Sequence, residues 1–269
     1  MRGRLLLTLI VAAMMLVPVQ AGDVSAQQTD QQEDSRQPSA NATTLYLWHD
    51  GINNAWTHFD ANDTTSAEDG VFTEDIDNGL IDIDLRFRMN PELDKRLMMT
   101  VDGELRGTLK LNLEGDWTNG DNQGPCQNDC EQLNITVNYG MNELYRYHHT
   151  STNQGEQEIP FTYRFTEEDN IWDARDGNPV VHVTMKLRGD RTTGFGGLTQ
   201  TGNPASFTMY LGEDSRVDLP IHESTWEEAF QAGEDGMEEE ESPGFGLVIA
   251  SSAIAMAAIA QRGRLEEDE

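Results

Sequence analysis

Basic residues and cysteines are scarce in this chain: 18 lysines and arginines stand against 48 aspartates and glutamates, and there are two cysteines in 269 residues. The net charge of −30 excludes nucleic acid and anionic lipid faces as partners, because phosphates would repel the protein. Two cysteines exclude a disulfide-dense scaffold, so a buried core must hold the fold. The six histidines show no HExxH or other zincin spacing. Nucleophile elbow, triad signature and phosphate-cradling glycine loop are all missing. Amphipathic helical patterning is absent apart from residues 224–232, enough for about two turns. No internal repeat is present.

Long apolar runs occur only at the two ends. Arg2 and Arg4 precede the run 5–17, and small-residue cleavage patterns follow at Val19-Gln20-Ala21 and Val24-Ser25-Ala26. This is the pattern of a secretory signal peptide over residues 1–26, cut after Ala26 or after Ala21. A twin-arginine pair is missing, which favours the general secretory route. Residues 27–43 read as a disordered spacer, and residues 223–242 as an acidic stalk extended by its own charge. Residues 245–260 carry no charge and would span roughly 24 Å as a helix, against ~30 Å of hydrocarbon. Arg262 and Arg264 close the run as the positive-inside bias requires. One C-terminal transmembrane helix is therefore expected, with the protein on the extracellular face of the membrane and residues 265–269 as an acidic tail.

Pro243-Gly244-Phe245, the apolar run behind it and the pair Arg262 and Arg264 resemble the PGF-CTERM sorting signal of archaeal surface proteins. The resemblance covers residues 243–264 and says nothing of the rest. It implies that an archaeosortase-like enzyme removes the tail and that a lipid replaces it as the anchor. It departs from the pattern in having only two arginines, followed by acidic residues. Without processing, the apolar segment itself would hold the protein to the membrane.

Between the spacers, period-2 alternation dominates. Ile81, Ile83, Leu85, Phe87 and Met89 alternate with Asp82, Asp84, Arg86 and Arg88. Leu97, Met99 and Val101 lead into Asp102-Gly103, a preferred hairpin turn, with a return strand through Leu105 to Leu113. Further strands are expected around residues 44–48, 133–139, 159–165, 181–187, 207–211 and 217–221. One apolar face per strand means sheets with one wet side. Residues 44–222 are therefore expected to form an all-β domain, an antiparallel β-sandwich of jelly-roll or Ig-like type.

Cys126 and Cys130 form a disulfide on this reading, because the chain is secreted and no second Cys or His pair has zinc spacing. It would shape the tip of the long loop between Leu113 and Leu133. Asp116, Asn119, Asp121 and Asp129 of that loop offer the oxygens that calcium prefers, the one cofactor the sequence suggests. Clustered aspartate is also what acidic composition alone produces. Sequons stand at Asn41, Asn62 and Asn134, and Asn134 lies on the polar parity of its strand. Trp48, Trp56, Trp117 and Trp172 each lie near Asp, Asn or His. Trp48 is assigned to the core, whereas Trp117 and Trp172 are candidates to stack on an extracellular glycan. The expected work is non-catalytic: surface structure, adhesion, or binding of glycans or other ligands. The alternative is a membrane-anchored hydrolase of extracellular polymers, since a catalytic carboxylate pair has no sequence spacing of its own.

Overall fold

Alternating apolar and polar residues put one row of side chains on each face of a strand, and here that pattern organises nearly the whole chain. The computed structural model describes residues 34–118, 125–126, 128–194 and 199–232. The segments expected to be a signal peptide and a sorting tail lie outside them. The chain divides into 1–35 and 36–269, and the elements below belong to the second unit. In order they are β1 (Thr44–His49), β2 (Ala55–His58), β3 (Val71–Ile76), β4 (Asn78–Met89), β5 (Leu97–Met98), β6 (Glu104–Glu114), β7 (Glu131–Tyr139) and β8 (Asn142–His148). There follow β9 (Gly155–Arg164), β10 (Ile171–Trp172), β11 (Pro179–Asp190), β12 (Thr192–Thr193), β13 (Gln200–Thr201), β14 (Ala205–Tyr210) and β15 (Gly212–Asp218). A 3-10 turn (Glu223–Trp226) and a short helix, α1 (Glu228–Ala232), complete the described chain.

In β4, Ile81, Ile83, Leu85, Phe87 and Met89 are buried while Asp82, Asp84, Arg86 and Arg88 are exposed. β11 repeats the arrangement with Val181, Val183, Met185 and Leu187 inside. The two strands pair antiparallel over their full length, from Val180 opposite Arg88 to Asp190 opposite Asn78. Burying each such aliphatic side chain stabilises the fold by about 1.5–3 kcal/mol before entropy is set against it.

Eleven strands form one mixed sheet in the order β3-β14-β6-β15-β1-β2-β4-β11-β7-β8, with β9 along the free flank of β6. The inward side chains from β6, β9 and β14 and those from β4, β7 and β11 belong to one core. The sheet folds over that core far enough for β8 and β9 to meet through their side chains. Tyr145 lies against Tyr163 with ring centroids 5.7 Å apart, and Tyr147 lies against Phe161 at 6.4 Å. Gly107 on β6 faces Phe161 directly in the β6–β9 pairing. Any Cβ there would run into the phenylalanine ring, so the aromatic occupies the space that glycine leaves open.

Three expectations are corrected. The sheet is mixed rather than purely antiparallel, because β2 runs parallel to β4. Asp102-Gly103 does turn the chain, with Gly103 N–H donating to Thr100 O at 2.8 Å, but no hairpin forms there. Phe165 claims the outer side of the turn through hydrogen bonds to Asp102 and Gly103, and β5 pairs instead with β10 in a separate small sheet. The boundaries at 43 and 223 also move outward. Gln37 is buried, donating to Glu92 O and accepting from Asp94 N–H. Residues 223–232 dock rather than forming the start of a stalk. Thr225 is buried and bonds both backbone groups of Met98, and Gln231 bonds both backbone groups of Arg96. Phe230 lies under the Arg96 guanidinium at 4.7 Å.

Candidate functional site

Neither tryptophan expected to face a ligand does so. Trp172 is 1% exposed, stacked on Tyr139 at 5.1 Å and edge-on to Phe165 at 5.9 Å. Trp117 is 3% exposed, with its indole N–H donated to Ser151 O at 3.0 Å. Both rings are anchors for the segments around them, because loops that leave a two-layered core need an apolar group to hold them down. Trp48 is buried, as assigned.

Cys126 and Cys130 are joined by a disulfide, and both are buried. The Cys126 sulfur lies 3.0 Å from the Asp116 carbonyl oxygen. The bridge thus sits at the base of its loop, beside the bridge between Asp116 and Arg188, and not at an exposed tip. Of the four oxygen ligands suggested for calcium, Asn119 and Asp121 lie outside the described residues. The Asp116 carboxylate accepts from Thr118 N–H and Oγ1 at 3.0 and 2.8 Å, and Asp129 pairs with Arg188 at 3.3 Å. Among the described residues, no three His, Cys, Asp or Glu side chains gather as a metal site. Asn41 and Asn62 are exposed. Asn134 faces outward from β7, its amide shared among Glu131, Gln132 and His148.

A cleft opens elsewhere, between the β1–β2 connection and the outer face of β4. Its cause is the shortness of β2. That strand pairs with β4 only at Trp56–Arg88 and Thr57–Met89, and the chain before Ala55 swings away through residues 50–54. The flank of β4 near Asp84, Leu85 and Arg86 is left without a hydrogen-bonded neighbour on that side. Two adjoining hollows of about 430 and 460 Å³ result, sharing Asn54, Ala55 and Arg88. The first takes in His49, Asn53, Asp84 and Arg86, and the second Asp50, Trp56, Thr65 and Asn90.

The walls are held rigidly. Asp50 Oδ1 accepts the backbone N–H groups of Ile52, Asn53 and Asn54 at 2.8, 2.9 and 3.0 Å, and Oδ2 accepts the Asn54 amide at 2.6 Å. Gly51 supplies the left-handed backbone this turn requires, at φ +79°, and donates its N–H to His49 Nδ1 at 2.8 Å. Trp56 is half-buried, and Asp63 Oδ2 accepts both its indole N–H, at 2.6 Å, and the His58 Nε2 proton, at 2.8 Å. The His58 tautomer follows from Nδ1 accepting the Asp60 N–H. Trp56 therefore has a fixed orientation at the cleft wall.

The electrostatics are as specific. Hydrogen bonds from the backbone of Asn54 and Ile52 hold the Asp50 carboxyl far below its usual value. The Arg86 guanidinium, with His182 beside it, lowers that of Asp84. Burial lowers His49, so its imidazole is neutral near pH 7. Both cleft carboxylates are thus firmly ionised, and neither is tuned to deliver a proton. Arg86, Lys186, Arg188 and Arg191 each hold a carboxylate. Arg88, which lines both hollows, has no hydrogen bond or ion pair from its guanidinium among the described residues.

Hydropathy alone did not point to this cleft, although the pair Asp50-Gly51 between Trp48 and Trp56 is a turn signal of the same kind as Asp102-Gly103. Nothing in the sequence places Arg88 opposite Trp56, since that depends on a parallel pairing of two strands some thirty residues apart.

No protein-family model matches the chain, and no curated protein matches it. Among solved structures, one described as "CBM4 structure and function" aligns over 69% of this chain and 93% of its own, at 10% identity and a TM-score of 0.28. Another, "Structure of infectious bursal disease virus Gx strain", aligns over 57% of this chain and 36% of its own, at 12% identity and a TM-score of 0.21. Likenesses this slight carry no functional argument, and the reading rests on the cleft itself.

Proposed function

We propose that this chain is a secreted, surface-attached β-sandwich protein that binds an extracellular ligand, a glycan, in the β2–β4 cleft without catalysing its turnover. The observation that carries the reading is the cleft's composition: a half-buried indole of fixed orientation beside the amides of Asn53, Asn54 and Asn90. An aromatic face supplies contact area to the apolar side of a sugar ring, and amides donate to and accept from its hydroxyls. Two carboxylates held ionised by the hydrogen bonds they accept suit positioning better than general acid catalysis, which favours binding over the hydrolase reading. Residues 1–26 would direct secretion, and residues 243–264 would attach the protein, by the apolar segment or by a lipid that replaces it. Among the described residues no helix is long and apolar enough to cross a membrane, and the sorting segment lies outside them.

The test is a titration of the full-length protein with a panel of neutral and acidic oligosaccharides, followed by tryptophan fluorescence. Binding should alter the emission, and Trp56→Phe together with Asn53→Ala should weaken it. If no member of the panel binds, or if both variants bind as the wild type does, the reading falls.

A further inference from the structure

We infer that the glycan held in this cleft is acidic, carrying a carboxylate or sulfate that Arg88 receives. The inference rests on the proposed binding role and adds the charge of the ligand to it.

In a chain of net charge −30, a basic side chain rarely lacks a carboxylate neighbour. Arg88 is exposed and central to both hollows, yet no carboxylate or carbonyl among the described residues takes any of its five N–H donors. The cleft's own carboxylates are committed elsewhere. Asp84 accepts from Arg86 Nε at 3.1 Å and bonds His182 Nε2 at 2.7 Å, and Asp50 is enclosed by three backbone N–H groups and the Asn54 amide. Neither has reason to turn toward Arg88. A guanidinium left open in this way matches the planar, two-oxygen geometry of a carboxylate or a sulfate. Trp56 lies opposite it in register, so a ring stacked on the indole would bring an acidic substituent within reach of Arg88.

Overall acidity opposes any anion at long range, and salt decides how far that repulsion extends. The screening length is about 10 Å at 0.1 M salt and about 3 Å at 1 M. Molar salt therefore removes the chain's general repulsion while leaving contact-range pairing in the cleft, and acidic glycans should be preferred most clearly there.

The decisive experiment compares the full-length protein with uronic-acid oligosaccharides, with the same oligomers methyl-esterified, and with sulfated oligomers, at 0.1 M and 1 M salt. The esters keep shape and hydroxyls and lose only the charge. The expected result is roughly tenfold tighter binding of one or both acidic sets over the esters, a ratio that Arg88→Gln abolishes and Arg191→Gln, whose guanidinium holds Asp77 away from the cleft, leaves unchanged. Arg88→Lys should restore part of it. Equal affinity for acids and esters, or a preference that survives Arg88→Gln, overturns the acidic ligand while leaving glycan binding standing. Failure of all sets, esters included, overturns both.

Discussion

Trp56 on β2 and Arg88 on β4 face each other across a parallel pairing, and this places an aromatic surface and a guanidinium without a partner among the described residues on the same cleft wall. The two should act separately. Trp56→Phe should lower affinity for neutral and acidic sugars alike, whereas Arg88→Gln should change only the ratio between them. Titration of both variants with a uronate oligomer and its ester checks this, and equal loss in both ratios would contradict it.

Trp172 should behave as a core residue. Trp172→Ala should cost about 3–5 kcal/mol in denaturant unfolding, because it leaves a large void beside Tyr139 and Phe165. At temperatures where the variant stays folded, its ligand affinity should equal that of the wild type. Loss of binding without loss of stability would return Trp172 to the role its sequence neighbours suggested.

That suggestion shows where sequence reading reaches its limit. Alternation located β4, β6, β7, β9, β11 and β14, because a strand with one wet face writes its burial into every second residue. It misses β8, whose Leu144, Tyr145 and Tyr147 are only half-buried at the edge of the sheet, where the two tyrosines meet β9 side chains. It counted Gln37 and Gln231 as spacer, since a glutamine that docks through its amide leaves no apolar mark. For the tryptophans, nearby Asp and Asn suggest ligand contact, but side-chain direction is set by tertiary packing that no local pattern records. The cleft depends on where β2 stops pairing, and that is a property of the assembled sheet.

Asp63 provides a pH test of the cleft wall. Burial alone would raise its carboxyl, but hydrogen bonds from Thr65, His58 and Trp56 outweigh it and bring it down to about 2. A depressed carboxylate stabilises the fold fully above its ordinary value near 3.8, and that contribution fades as pH falls toward 2. With solvent screening allowed for, about 1–2 kcal/mol is at stake. Unfolding midpoints of the wild type should drop across this window, and those of Asp63→Asn should start lower and drop less. Parallel curves for the two proteins would refute the assignment.

His49 acts in a higher window. Burial depresses its pKa, although Asp50 pulls the other way, so the fold favours the neutral ring. Its contribution is complete above the ordinary value of 6.5 and is lost as pH falls below that. Protonation removes the acceptor at Nδ1 that holds the Gly51 N–H. Ligand affinity should therefore weaken as pH falls below 6.5 in the wild type and stay level in His49→Asn, as titrations at a series of pH values would reveal.

Gly107→Ala should be among the most damaging small changes, since its methyl group would meet the Phe161 ring. A loss of about 1–3 kcal/mol is expected, with partial recovery in the double variant Gly107→Ala, Phe161→Leu. Thermal melts of the single and double variants measure the coupling, and strict additivity would show that the two positions do not share that space.

The docking of Gln37 on Glu92 and Asp94, and of Gln231 and Phe230 on Arg96, brings both ends of the described fold to one short segment ahead of β5. A load drawn along the chain past residue 232 would first be borne by the Gln231 amide and the Phe230 ring, not by the strands. Were the chain held at its C-terminal side, tension would first peel residues 223–232 from the fold, and the sheet with its cleft would stay whole.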